Sequence, residues 1–448
     1  MLRDGGPFRL LFAGQALSVV GDRITPVAIA FAVLAIGDAT DLGLVLAASG
    51  VPFALFAIAG GVVSDRVGRR NVMIASDVVR TASQALTAVL LLTGSAEVWM
   101  LVALAAVYGT AAAVFMPALI GLIPQTVAPD RLQEANALLG VTRSLATVGG
   151  PAVAGIVIAL AGPGEAIALD AATFAVSAVC LLALRPRLRA ADAPEADEAR
   201  FGRRLRAGWA EVRARPWLAS GLGAIAAYHV FVLPAVYILG PALAARELDG
   251  ASSWAVIVAC FGVGTVLGNL LAMRIRIGRP VLVAALALLV AGTQAVIISS
   301  GLGTAGIAAL EVPAGIAVSL FFTLWDTSIQ EQVAPAAVSR VSSYDFAASL
   351  GLMPLGMAVA GPVADGIGLQ ATLAVMSGAG MLAALLWLAV PDVRRVRRAG
   401  PGDPVVAAAP AEPVPAAATG RFEPETGPLV RDADGLRFGR DPAPVEDR

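Results

Sequence analysis

Between Arg9 and Val390 the chain is a succession of apolar runs of about 18 to 25 residues, each closed by a short connection. That spacing leaves little choice of environment. As an α-helix, such a run crosses the hydrocarbon core of a bilayer and bonds every backbone polar group within itself. Twelve runs can be counted, the first over residues 9–36 and the last over 368–390. Of the 448 residues 58% are hydrophobic and 15% charged, and the mean hydropathy is +0.79, far from a soluble domain. The expected fold is an all-α polytopic membrane protein with twelve transmembrane helices, lodged in the lipid bilayer.

Charge sets the orientation. All 32 basic residues are arginine, and they gather on alternate connections: Arg3 and Arg9, then Arg66, Arg69 and Arg70, then Arg131, Arg274, Arg276, Arg279, Arg340 and Arg394 to Arg398. The opposite connections hold only Arg246. Arginine excess marks the cytoplasmic face, so the chain is expected to be multi-pass in the plasma membrane with both termini cytoplasmic. The stretch Gly60 to Arg70, GGVVSDRVGRR, reads as a charged loop held at that surface between the second and third runs.

Other function classes fall away on composition. Net charge is −1, which gives nucleic acid no basic surface to bind. One histidine, His229, and two distant cysteines, Cys180 and Cys260, offer no metal-ligand spacing. No phosphate-binding GxxxxGK[ST] loop is present, and no clustered nucleophile suggests an enzyme. No metal and no cofactor are expected.

The chain also repeats itself. Setting Val127-Ala128-Pro129 on Val333-Ala334-Pro335 without a gap brings Gly150 onto Gly356 and Ala152-Val153-Ala154-Gly155 onto Ala358-Val359-Ala360-Gly361. The fifth and eleventh runs are therefore equivalent, which predicts two pseudo-symmetric six-helix halves, 1–184 and 217–391, with a substrate site between them. Residues 185–216 form a cytoplasmic linker ending in an amphipathic helix, where Leu205, Trp209 and Val212 share a face. Residues 392–448, rich in Pro, Ala and acidic side chains, are expected to form a disordered cytoplasmic tail.

Twelve runs in two halves, with GxxxDRxGRR between the second and third, resemble the major facilitator superfamily over about residues 8–391. The signature falls on Gly61, Asp65, Arg66, Gly68, Arg69 and Arg70. Gly150-Pro151 followed by Gly155 resembles the antiporter motif of its drug exporters. QALSVVGDRITPVAIAFAV in the first run and SRVSSYDFAASLGLMPLGMAVAGPVAD in the eleventh resemble the branch of macrolide efflux proteins and the enterobactin exporter. The resemblance implies alternating-access efflux of an amphiphilic drug-like or siderophore-like small molecule, driven by protons, by a monomer. The same superfamily also holds importers and uniporters, and a non-transporting sensor is the reading from another class. The resemblance further implies that the signature loop packs on the eleventh helix as a latch, with Asp65 at that helix's N-terminus.

Ionisable groups inside membrane helices each need a reason, since one costs about 2.5 to 3.5 kcal/mol at a helix centre. Asp22, His229 and Glu311 fall on helices that, by the resemblance, line one central cavity. Asp22 and Glu311 are the first and second candidates for proton coupling, and His229 the third. Asp22 could instead form a static ion pair, and His229 could bond a backbone carbonyl. Asp77 and Arg80 share a helix face as a structural pair. Arg143 can reach that pair or a cytoplasmic carboxylate.

Overall fold

A computed structural model describes residues 6–128, 131–185, 206, 208–275, 277–398, 429–432 and 435–438, excepting side chains at 57–62, 65, 335, 336, 339 and in the last two segments. The first unit, Met1–Val406, is helical wherever it is regular. Its long helices are α1 (Pro7–Ile36), α2 (Ala39–Val67), α3 (Arg69–Leu92), α4 (Val98–Leu122), α5 (Leu132–Leu160) and α6 (Pro163–Ala183). They continue with α7 (Pro216–Glu247), α8 (Ala251–Arg274), α9 (Pro280–Ile298), α10 (Gly303–Gln332), α11 (Arg340–Ile367) and α12 (Leu369–Ala389). Among the described residues 11 of these are long and apolar enough to cross a membrane. The exception is α3: its 24 residues reach about 36 Å, enough to span, but every turn except the last carries a polar side chain.

Three helices depart from α geometry, α9 by a turn at Gly292 and Thr293. α7 contains π-helical stretches at Tyr228–Val232 and Ala235–Leu239, on either side of Pro234, and α11 contains one at Ala347–Gly351. The first stretch of α7 packs on α11.

Helix packing follows a recurring pattern. In the first six helices α1 packs on α5 and α6, α3 on α4 and α6, and α2 on α4. Each pairing recurs six helices later: α7 on α11 and α12, α9 on α10 and α12, and α8 on α10. α2 also packs on α11, and α5 on α8.

The last six helices are held by aromatic packing. Trp217 of α7, Phe321 and Trp325 of α10 and Trp387 of α12 form one cluster, with Trp325 centred 5.8 Å from Trp217 and 5.6 Å from Trp387. Gly221 makes room for the indoles of Trp325 and Trp387. The indole nitrogens are satisfied: Trp387 Nε1 donates to Trp217 O at 3.0 Å and Trp325 Nε1 to Asp345 Oδ1 at 2.9 Å. Phe321 and Trp325 are each 1% exposed, so they are core, not the cavity wall that their helix suggests.

The structure redraws the stretch expected to be a charged loop. α2 continues as helix through Val67, and Gly68 alone separates it from α3, its φ of +96° making the turn. A surface arginine extends its charge to water from a helix as readily as from a loop, so the charges do not end the helix. Residues 208–213 of the linker are helical, but Val212 is fully buried and the Trp209 ring lies tilted against Tyr344, centred 5.6 Å away. This face packs on the start of α11 instead of lying on headgroups. Leu205 falls outside the described residues. In the tail, Pro391–Arg395 is a short helix. The second unit contains an antiparallel pair of strands, Leu429–Asp432 and Gly435–Phe438. The rest of the tail, and residues 186–205 of the linker, lie outside the described residues.

Candidate functional site

α3 turns its polar face inward. Ser76, Asp77, Arg80, Ser83, Gln84 and Thr87 recur at helical spacing and are all buried. Lipid tails give an apolar face no reason to associate, whereas a polar group unpaired in hydrocarbon is expensive, so the stripe seeks protein partners. Ser76 Oγ donates to Ala111 O at 2.7 Å and Ser83 Oγ to Leu104 O at 2.9 Å, fixing α3 to α4. Gln84 Nε2 reaches Asp170 Oδ2 of α6 at 2.7 Å and Thr25 Oγ1 of α1 at 3.2 Å, and Thr25 itself donates to Asp170 Oδ2 at 2.6 Å.

Arg80 is the hub of this network although only 3% of its side chain is exposed. Its guanidinium bonds Asp77 one turn back, stands 3.9 Å from Asp22 Oδ1, and lies between the Phe115 and Phe174 rings at 4.1 and 4.2 Å. The two ring faces attract the cation where water is absent. The Tyr108 hydroxyl donates to Asp22 Oδ1 at 3.0 Å. Three carboxyl groups, Asp22, Asp77 and Asp170, thus surround one guanidinium. Asp77 and Asp170 are fully buried, but the Asp22 side chain keeps 36% of its surface open. It borders a cavity of about 690 Å³ with Arg80, Tyr108 and Arg143, and another of about 600 Å³ with Thr25 and Gln84. Arg143 therefore meets the network at its open end.

A separate cavity of about 890 Å³ lies where α1, α5, α7, α8, α9 and α10 converge. Tyr237, Trp254 and Phe261 give it aromatic walls, and its charged groups are Arg23 of α1 and Glu311 of α10. Glu311 is 2% exposed. Its Oε2 accepts from Gln294 Nε2 at 3.2 Å, and Gln294 Oε1 accepts from the Tyr228 hydroxyl at 2.7 Å. Its Oε1 is buried with no hydrogen-bond partner. Glycine shapes the opposite wall: a Cβ on Gly150 would overlap Arg23 Cβ, so α5 presses on the stem of Arg23 and sets where its guanidinium stands. Pro151 and Thr147, from the same turns, also line the cavity.

The three coupling candidates are not gathered in one space, as the resemblance implied. Asp22 is drawn into the network by Arg80 and Tyr108, and Glu311 lines the separate cavity with Arg23. His229 sits in the first π-helical stretch of α7, 5% exposed, where Nδ1 bonds Ile225 O at 2.9 Å. A carbonyl only accepts, so Nδ1 carries the proton, and the ring packs against Tyr228 and Phe322.

The remaining motif residues are structural joints. Arg69 Nη1 donates to Gly121 O at 2.6 Å, and Arg70 donates from Nε to Leu181 O and from Nη2 to Leu182 O, both at 2.7 Å. Those carbonyls lie in the last turns of α4 and α6, where the negative end of the helix dipole favours a cation; Leu181 O also accepts from the Leu184 N–H at 3.2 Å. Arg66 is exposed. The side chain of Asp65 lies outside the described residues, and with it the contact expected at the N-terminus of α11.

The repeated glycines make equivalent approaches. A Cβ on Gly150 would overlap α1, and one on its counterpart Gly356 the Val230 carbonyl of α7. One on Gly155 would overlap Ala255 of α8, and one on Gly361 the Thr40 main chain of α2. Gly43 and Gly50 of α2 likewise admit Met357 and Pro354 of α11. At the same end Thr40 Oγ1 donates to Asp365 Oδ2 at 2.7 Å. These approaches between α2 and α11 lie away from the end that carries Arg69, Arg70 and Arg340.

Gln84, Gln294 and Thr25 belong to these two sites although the sequence reading does not single them out. Their signal was an amide or hydroxyl in the middle of an apolar run, which has the same need of a partner as a charge has.

A bundle of membrane-length helices that meets tightly along glycine seams, encloses a cavity and buries a charged network beside it defines a membrane transporter, not an enzyme. The chain belongs to the transmembrane secretion effector family, whose model matches residues 3–421, and it is a transporter of the major facilitator type. It is 24% identical over 370 residues to macrolide efflux protein A of Streptococcus pyogenes, covering 81% of this chain and 90% of that protein. It is 26% identical over 413 residues to the multidrug efflux pump Tap of Mycobacterium bovis, covering 89% and 96%. The fold is similar to an inward-facing, unoccupied bacterial homologue of the lysosomal transporter Spinster, with a TM-score of 0.64 and 16% identity over 88% of this chain and 98% of that one.

Proposed function

We propose that this protein is a proton-coupled exporter of amphiphilic small molecules in the plasma membrane. In this reading it works as a monomer of two six-helix halves, α1–α6 and α7–α12, with α3 counted as a span and the arginine-rich ends in the cytoplasm. Cargo enters the cavity between Arg23 and Glu311. The tight seam of α2 with α11 closes the far end, so the conformation described is the cytoplasm-facing one. The recurrence of each helix pairing six helices later supports the two halves, and the efflux relatives support the direction.

The observation that carries the coupling is the setting of Asp22. It is the one carboxyl of the Arg80 network with an open side, and the cavities it borders give it a route to water that Asp77 and Asp170 lack. A proton arriving on Asp22 weakens its hold on Arg80 and Tyr108, leaving the guanidinium to Asp77; its release restores the attraction. The charge change is thereby passed to α3 and α4, next to the cavity-lining helix α1. Inside-out vesicles carrying the protein should accumulate a fluorescent amphiphilic solute on acidification of their lumen, and Asp22→Asn should abolish the dependence on the proton gradient. Undiminished gradient-driven accumulation in that variant overturns the assignment.

A further inference from the structure

We infer that the cavity selects amphoteric solutes, whose basic nitrogen is taken by Glu311 and whose anionic group is taken by Arg23. The inference rests on the reading of this cavity as the cargo site. Each of the two charges lacks the partner that usually accompanies a charge at low dielectric. Glu311 lines the cavity, its Oε1 is buried with no hydrogen-bond partner, and its other oxygen receives only the neutral amide of Gln294. Arg23 is exposed, lines the same cavity and forms no ion pair or hydrogen bond among the described residues.

Solutes of a single charge satisfy one group and confront the other. A cation at Glu311 meets a guanidinium across the cavity, and an anion at Arg23 meets a carboxylate. A solute with both charges completes both pairs at once and leaves neither charge uncompensated. Its apolar body fits between Tyr237, Trp254 and Phe261, and these faces also favour the ammonium end. Arg23 belongs to α1 and Glu311 to α10, so such a solute links the two groups of six helices, whereas a singly charged one engages only one of them. Gly150 sets the geometry from behind, because the α5 backbone lies where a bulkier residue would push Arg23 out of line.

The test uses the full chain in lipid nanodiscs and three forms of one scaffold: zwitterionic ciprofloxacin, its methyl ester as the cation, and its N-acetyl derivative as the anion. Binding is measured by calorimetry in mildly alkaline buffer. The zwitterion should bind at least about tenfold more tightly than either relative, one charge-assisted hydrogen bond being worth that much. Arg23→Gln should lower its affinity to that of the ester, and Glu311→Gln to that of the N-acetyl form. Equal affinities for the three forms, no binding of the zwitterion, or an unchanged preference in both variants overturns the inference. Ile257→Trp, which fills the cavity, separates this failure from failure of the underlying reading. If it abolishes binding of forms that show no charge preference, only the charge assignment falls. If binding survives it, the cavity is not the cargo site.

Discussion

Replacing Gly361 by alanine should open the end of the protein remote from the arginines. A methyl at that position falls on the nitrogen and Cα of Thr40 and on the carbonyl carbon of Ala39. These are main-chain atoms of α2 that cannot swing aside as a side chain would, so the helices must separate. Overpacking of this kind costs about 1 to 3 kcal/mol. The separation also strains the bond from Thr40 to Asp365, which is exposed and adds little. Alanine gains about 1 kcal/mol over glycine in helix propensity, but α11 is a helix whichever end is open, so that gain cancels between states. The net effect on the equilibrium is about 5- to 150-fold toward the conformation with this end parted. Spin labels at Ile36→Cys and Ile367→Cys, in a chain carrying Cys180→Ser and Cys260→Ser, would read the distance across the seam by electron double resonance. The native chain should give mainly the short distance and Gly361→Ala a second, longer population. A distribution unchanged by the substitution would show that backbone contact does not hold the seam.

Two further outcomes concern stability. Arg80→Gln removes the cation shared by Asp22 and Asp77 and should cost about 3 to 5 kcal/mol; Arg80→Lys should restore little of it, since an ammonium cannot fork between two carboxylates and stack on two rings. A thermal-denaturation change equivalent to less than about 1 kcal/mol would contradict the network as drawn. Arg69→Gln and Arg70→Gln should each lose about 1 to 2 kcal/mol by removing charge-assisted bonds to helix-end carbonyls of α4 and α6, whereas exposed Arg66→Gln should be nearly neutral; equal melting temperatures for the three would refute the capping role.

The parts of this protein legible in its sequence are those whose physics is local or repeated. Runs of apolar residues announce the helices because hydrocarbon thickness fixes their length. Asp77 and Arg80 could be paired because three residues return to one helix face. The equivalence of α5 and α11 could be read because each helix needs glycine where it touches two others, and side-chain absence is conspicuous at a fixed offset. Asp170 was harder: its partners Thr25 and Gln84 are 145 and 86 residues away, and no spacing reports such an encounter. The separation of Asp22 from Glu311 was missed for a related reason. Helix order says which helices surround a space, but rotation about the helix axis decides where a side chain points, and Arg80 turns Asp22 toward α3 and α4. The extent of α2 was misjudged because charge was taken as a sign of irregular backbone.

The π-helical stretches of α7 carry a consequence of another kind. Each accommodates one residue more than α geometry would over the same length, as an extra half-plane does in a crystal. Like an edge dislocation, such a surplus can glide along the helix by exchanging one hydrogen bond at a time, without the helix ends translating. Every residue it passes turns by about 100°. Val236 and Tyr237 lie in the second stretch and Leu233 just after the first, and all three line the cavity, while the tryptophan cluster anchors the helix beyond them. The wall on this side can therefore be re-aimed residue by residue while the anchored core stays fixed.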